Sequence, residues 1–225
     1  MTQIRDKNGV SIQGHIKIHD PESGKVYVNK RNAIHYENMS IALAQSIANE
    51  GKGFISSMAF GNGGTSIDPT GIITYLTPNS TGTNASLYNQ TYSKIVDDRS
   101  VSNLDPQRNK IETRHLSGTN YTDVLVTCLL DYGEPNGQDA VDNATNTEGN
   151  YVFDELGLVS YNDQGTGNLL THVIFHPVQK SLNRLIQIDY TLRIQSLTTF
   201  TETSSTALST SNTVSGTTSG GNTGY

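Results

Sequence analysis

The side chains able to do chemistry are few, and their spacing argues against a catalytic centre. His172 and His176 lie in Thr171-His172-Val173-Ile174-Phe175-His176-Pro177, where a helix would bring both rings onto one face and let them ligate a metal. Val173, Ile174 and Pro177 favour a strand instead, and at strand rise the rings stand about 13 Å apart, too far for one ion. Seven acids (Asp131, Glu134, Asp139, Asp142, Glu148, Asp154 and Glu155) follow one another with no basic residue between them. Hard cations favour oxygen-rich loops of this kind, but the spacing fits no EF-hand, so the segment reads as a solvated or partner-facing acidic loop. Two carboxylates could cleave a glycosidic bond, and Asp97-Asp98 and Asp154-Glu155 are the nominal doublets. Neighbours on a strand point to opposite faces, so neither doublet makes a converging pair.

Other motifs dissolve in the same way. Ser23-Gly24-Lys25 ends like a phosphate loop, yet the upstream glycine is missing and the lysine leads into a strand. Gly61-Asn62-Gly63-Gly64 lacks the dinucleotide-binding spacing and a following helix. There is no Gly-x-Ser-x-Gly elbow and no placement of Ser, His and acid that suggests a triad. Cys128, the single cysteine, sits in the apolar run Val124-Leu125-Val126-Thr127-Cys128-Leu129-Leu130, which excludes an internal disulfide and a thiolate cage and points to a buried, inert thiol. No catalytic, cofactor-binding or metal-ligating residue is therefore assigned, and a non-enzymatic role is expected. With no Trp and 11 Tyr, a glycan groove built by tyrosine stacking is the competing ligand class.

Charge narrows the partners. A net charge of −6 without clustered Lys or Arg argues against nonspecific nucleic-acid binding and against an anionic membrane surface. The opening Met1-Thr2-Gln3-Ile4-Arg5-Asp6-Lys7 has no apolar stretch behind it, so no signal peptide is expected, and no window reaches the roughly 18 apolar residues of a membrane span.

The elements that would position these groups are mostly strands. Only 34% of residues are hydrophobic and 16% charged, with 21 Gly, a balance that favours strands and turns over helices. Residues 12–18 and 25–28 flank Asp20-Pro21-Glu22-Ser23-Gly24 and read as a hairpin. Met39, Leu43 and Ile47 recur every four residues, predicting one helix over 38–49 with Asn38 as cap and Gly51 as stop. Strands are expected at 54–60, 91–96, 110–116, 123–131, 151–159, 168–175 and 184–195. The last alternates Ile186, Ile188, Tyr190, Leu192 and Ile194 with polar neighbours, so a slip of one residue would expose its whole apolar set. The expected fold is mostly β: an antiparallel β-sandwich with one short helix, a long irregular loop and an extended C-terminal arm. Its divisions are 1–53 (hairpin and helix), 54–197 (sandwich core with long insertion loops) and 198–225 (arm).

Two segments look made for contact with other chains. Residues 64–90 exceed the usual length of a connection and carry an apolar island, Ile72, Ile73, Tyr75 and Leu76, that would be an exposed patch on a lone molecule. In residues 198–225, 16 of 28 are Ser or Thr, with one Glu and no Lys or Arg. Such a segment cannot offset its own ordering entropy, so neighbouring chains are expected to clamp it through Thr198, Phe200, Leu208, Val214 and Tyr225.

The stretches Ala59-Phe60-Gly61-Asn62-Gly63-Gly64 and Tyr151-Val152-Phe153-Asp154-Glu155-Leu156-Gly157-Leu158, followed by Gly165-Thr166-Gly167-Asn168 and two long strands, resemble the head domains of phage tail-fibre and related tail or neck proteins. The order matches over about residues 54–195. The resemblance implies a virion structural protein of a tailed bacteriophage, made in the host bacterial cytoplasm, that docks an appendage and catalyses nothing. A fibre would continue for hundreds of residues after such a domain, which favours a neck, collar, baseplate or tail component, or alternatively a head decoration protein or a glycan-binding or glycan-cleaving module. Expected partners are copies of itself, in a trimer or hexamer-type ring, and other virion proteins, with no cofactor.

Overall fold

The alternating segment near the end of the sequence becomes the strand around which the rest is laid. In the computed structural model, which describes residues 7–82, 85–140, 151–163 and 167–199, the elements in chain order are β1 (Lys7–His19), β2 (Val26–Ile34), α1 (Tyr36–Ile47), β3 (Ile55–Gly61), β4 (Thr65–Ile67), β5 (Ile73–Tyr75), β6 (Gln90–Ile95), β7 (Lys110–His115), β8 (Tyr121–Leu130), β9 (Val152–Ser160), β10 (Thr171–Gln179) and β11 (Ile186–Thr199). β11 pairs antiparallel with β8 from Ile186↔Leu130 to Gln195↔Tyr121 without a break. Its Ile186, Ile188, Tyr190 and Leu192 are buried together with Val126, Cys128 and Leu130 of β8. The Cys128 thiol is fully enclosed, and burial pushes its pKa up to about 12, as the apolar run predicts.

Nine strands form one sheet in the order β6-β3-β9-β10-β2-β1-β11-β8-β7, while β4 and β5 pair separately. The two halves of the large sheet meet at a narrow joint, the pairs Thr171↔Ile34 and His172↔Ala33 between β10 and β2. About this joint the sheet curls. Ile18, Ile186 and Ile188 of one half and Phe60, Phe153, Leu156 and Phe175 of the other face the same interior gap, with the Phe60 and Phe153 rings 5.1 Å apart and tilted by 43°. The expected sandwich is thus a single curled antiparallel sheet with its core between the halves.

Local chemistry explains the connections. Between β1 and β2, the Asp20 carboxylate accepts from the Glu22 and Ser23 amides and Gly24 takes φ 72°, which makes the Ser23-Gly24-Lys25 sequence a turn. The expected helix is present but shifted by two residues, and His35 rather than Asn38 is its cap. The His35 ring Nδ1 accepts from the Asn38 amide at 3.2 Å. Asn38 is instead buried in the first turn, donating its side-chain amide to the Leu169 carbonyl at 2.9 Å. The buried face is Asn38, Met39 and Ala42, and Ile47 is 85% exposed. The four-residue repeat misplaced that face because the helix docks by its first turn while its last turn overhangs solvent. No helix among the described residues is long and apolar enough to cross a membrane.

Gly157 shows how closely strands and connections approach. A Cβ there would stand 2.2 Å from the Thr171 carbonyl oxygen and 2.5 Å from Leu169 Cδ1. Gly157→Ala is expected to lower stability by about 1–3 kcal/mol through overpacking, read as a lower urea midpoint with an unchanged slope.

Candidate functional site

The apolar island lies on the small hairpin β4–β5, paired through Thr65↔Tyr75 and Ile67↔Ile73. Its turn is set by Asp68, whose carboxylate accepts from the Thr70 and Ile72 amides and the Thr70 hydroxyl. Ile72 is 63% exposed, Tyr75 50%, and Ile67 and Leu76 41% each, while Ile73 is half-buried. Four large apolar side chains thus face outward within one short ribbon. The hairpin is a structured insertion within what the sequence reads as one long irregular loop.

A hairpin of three residues per strand is not stable alone, and what holds it lies beneath. β9 and β10 place three polar side chains in the interior: Asp154 (3% exposed), Glu155 and His172 (both 0%). Asp154 Oδ1 accepts from the Gly64 amide at 2.9 Å, and its Oδ2 accepts from the Thr65 amide at 2.8 Å and from the Thr65 hydroxyl. Glu155 Oε1 accepts from the Gly63 amide at 3.1 Å and the Asn89 amide at 2.8 Å. Its Oε2 accepts from the Tyr88 amide and from His172 Nε2, both at 2.9 Å. His172 Nδ1 accepts from the Asn79 amide at 2.8 Å, so Nε2 must carry the ring hydrogen that it gives to Glu155. One short acidic doublet and one imidazole therefore hold both ends of segment 63–89.

Asp97 and Asp98 follow β6 and lie outside a strand, and Asp154 and Glu155, which alternation would point apart, both address the turn at 63–65 from β9. Their electrostatics differ. Burial raises the Asp154 carboxyl above the usual range against the pull of its Thr65 and Gly64 donors. Burial also acts to raise Glu155, but the hydrogen bonds from His172 and from the Asn89, Tyr88 and Gly63 amides outweigh it and hold that carboxyl below its ordinary value. The glycines are required by proximity: a Cβ on Gly61 would meet Glu155 Oε1 at 2.5 Å, and one on Gly63 the Asn89 amide nitrogen at 2.7 Å.

The hairpin is further tied at its surface. Tyr75 Oη lies 3.2 Å from His176 Nδ1, the Tyr88 hydroxyl donates to the Thr77 carbonyl at 2.6 Å, and the Leu76 amide donates to Gly64. His172 and His176 thus serve separate contacts, one interior and one exposed. Among the described residues no group of three or more His, Cys, Asp or Glu could hold a metal.

Of the described acids in the expected acidic loop, Asp139 is exposed and the others find partners in the fold. Asp131 pairs with Arg108 at 2.9 Å, Glu134 pairs with Lys94, and Asp154 and Glu155 are internal. Their partners come from β6 and the segment before β7, which the absence of bases within the stretch itself could not reveal. Lys180, 0% exposed, sits nearby with its ammonium donating to Gln138 Oε1 at 2.8 Å and to the Ser181 carbonyl at 2.9 Å, and burial brings its pKa down to about 8. Asp142 and Glu148 lie outside the described residues.

Of the interface residues expected from sequence, Ile72, Ile73, Tyr75 and Leu76 come together on the hairpin. Phe200, Leu208, Val214 and Tyr225 lie outside the described residues, as does the side chain of Thr198. Sequence reasoning missed the Glu155–His172 pair. A signal existed: two acids inside the otherwise apolar run Tyr151–Leu158 must be buried, and buried carboxylates need donors.

The chain matches no known protein family model, no curated protein and no solved structure.

Glu155→Ala would orphan three backbone amides and the His172 ring and is expected to cost about 3–5 kcal/mol. In the native chain, Glu155 contributes stability that is complete above its unfolded pKa, about 4.3, and is lost as pH falls through the lower folded value. Asp154, with its raised folded pKa, works in the opposite sense. Asp154→Asn should therefore steepen, and Glu155→Gln flatten, the acid limb of unfolding free energy against pH.

Proposed function

We propose that this chain is a structural subunit of a tailed-bacteriophage virion, which assembles with copies of itself into a trimeric or hexameric ring and docks on neighbouring neck, tail or baseplate proteins. The observation that carries the proposal is the outward-facing Ile67, Ile72, Tyr75 and Leu76 ribbon fixed to the interior by Asp154, Glu155 and His172. Exposed apolar side chains on a mobile loop would lose much of their contact energy to ordering on association, whereas here the ordering is done within the fold. Both ring nitrogens of His172 and both oxygens of Glu155 are occupied, so their role is to support the ribbon, in keeping with a non-enzymatic part.

A ring also needs a second, different surface on each subunit, because head-to-tail contacts pair unlike patches. The connection over 97–109 offers one. Val101 is 99% exposed and Leu104 95%, and the loop beneath them is braced by Asn103, whose side-chain amide donates to the Asp97 and Asn109 carbonyls at 3.1 and 2.8 Å. The Ser/Thr-rich residues 198–225 would add grip on neighbouring chains, and the resemblance of residues 54–195 to phage head domains supplies the virion setting.

The full chain at micromolar concentration is expected to elute as an oligomer of at least three copies by light scattering. Ile72→Asp with Leu76→Asp, or Val101→Asp with Leu104→Asp, should give monomers with unchanged circular dichroism. A chain ending at Thr199, the last residue of β11, should stay folded and assemble less well. A monomeric full chain would refute the proposal.

A further inference from the structure

β7 is the last strand of the nine-stranded sheet and, among the described residues, pairs with β8 alone. Its ladder from Lys110↔Thr127 to His115↔Thr122 has no bulge, and the strand contains no proline. Bulges and prolines are common devices that keep a strand edge from pairing, and this edge lacks both. Glu112, Thr113, Arg114 and His115 are all exposed. Charge is the other such device, but it repels when one sign dominates, and here Lys110, Glu112 and Arg114 alternate in sign.

Two hydrogen bonds fix which backbone groups of β7 point outward. In an antiparallel ladder the N–H and C=O of one residue point to the same side, and that side alternates along the strand. The Leu129 amide of β8 donates to the Asn109 side chain at 2.9 Å, toward β7, whereas the Asn120 carbonyl accepts from the Ser196 amide at 2.8 Å, toward β11. The odd-numbered residues of β8 therefore bond to β7. They stand opposite Lys110, Glu112 and Arg114, so the N–H and C=O groups of Ile111, Thr113 and His115 point away from the sheet. Side chains alternate as well: Ile111 packs against the core, which puts Lys110, Glu112 and Arg114 together on the outer face.

We infer that this edge pairs antiparallel with β7 of a second copy, about a two-fold axis through Thr113. Outward groups must meet outward groups, so Ile111, Thr113 and His115 can only face one another's counterparts. With Thr113 opposite Thr113 of the second copy, residues 111–115 of both strands are paired. Glu112 then stands directly opposite Arg114 of the second copy, twice by symmetry, at the closely spaced pairs where side chains meet. Moving the axis to residue 112 opposes Glu112 to itself and Lys110 to Arg114, and moving it to residue 114 opposes Arg114 to itself, so charge selects the first register. Within its own sheet Arg114 faces Asp123, whose two oxygens already accept from Arg193 at 2.8 and 2.9 Å. One such contact is small beside stable interfaces, and a lone pair of subunits is expected to associate with a Kd on the order of 1 mM. Repeated around the ring proposed above, the one step that rests on that reading, it would join two rings face to face, each contact reinforcing the rest.

The test is amide hydrogen exchange by NMR on the full chain carrying Ile72→Asp and Leu76→Asp, followed from well below the expected Kd to several times above it. The Ile111, Thr113 and His115 amides should exchange freely when dilute and slow severalfold when concentrated, while Glu112 and Arg114, bonded to β8, stay slow throughout. Glu112→Arg and Arg114→Glu should each abolish the concentration dependence with circular dichroism unchanged, and the two together, which again set opposite charges across the axis, should restore it. In the native oligomer Thr113→Pro, which removes an outward N–H and no bond to β8, should halve the mass by light scattering. Exchange at Ile111, Thr113 and His115 that is independent of concentration would overturn the contact; if those amides are slow even when dilute, the edge is filled from within the chain. Failure of the double exchange to restore pairing would overturn the register, and an unchanged mass for Thr113→Pro the joining of rings. If the native chain is itself monomeric, the ring reading falls, and the same exchange series on the native chain decides the β7 contact.

Discussion

A carboxylate taken wholly out of water must find donors or destroy the fold that buried it. Glu155 meets that demand with four: three backbone amides and an imidazole. Because the amides belong to residues 63, 88 and 89, satisfying the charge also closes the long excursion between β3 and β6 into a fixed shape. The His172 end of the contact sits at the joint between the two halves of the sheet. One buried negative charge therefore links the centre of β9, the curl of the sheet and the display of the small hairpin.

The strands were legible in the sequence to the degree that their two faces differ. β11 and β8 were readable because Ile186, Ile188, Tyr190 and Leu192 alternate with polar partners, and alternation is a local property. The turn at Asp20 to Gly24 was legible for the same reason: its chemistry is closed within five residues. Helix α1 was found, yet its cap and buried face were not, because His35 acts as a cap only once Leu170 accepts its amide and Leu169 binds Asn38. Those partners stand more than a hundred residues away.

Sites made by long-range contact were the least visible. Ile72, Ile73, Tyr75 and Leu76 stood out as an apolar island, but nothing local says that Asp154, ninety residues on, anchors the turn that presents them. The acids over 131–155 looked unpaired because Arg108 and Lys94 approach from the segment before β7 and from β6.

The joint of two residue pairs between β10 and β2 also governs how the molecule would carry force. Tension applied at the hairpin passes through the amides of residues 63–65 into β9, then through the Glu155–His172 contact to the corner where the sheet turns, and there the ladder has two pairs, Thr171↔Ile34 and His172↔Ala33, beside the bonds from the His35 amide to Leu170 and from Lys30 to Ile174. The ten-pair β8–β11 ladder lies on the far side of that corner. The ladder at this corner has far fewer pairs than the β8–β11 ladder, so resistance to parting the two halves there falls mainly on the apolar core packed between them.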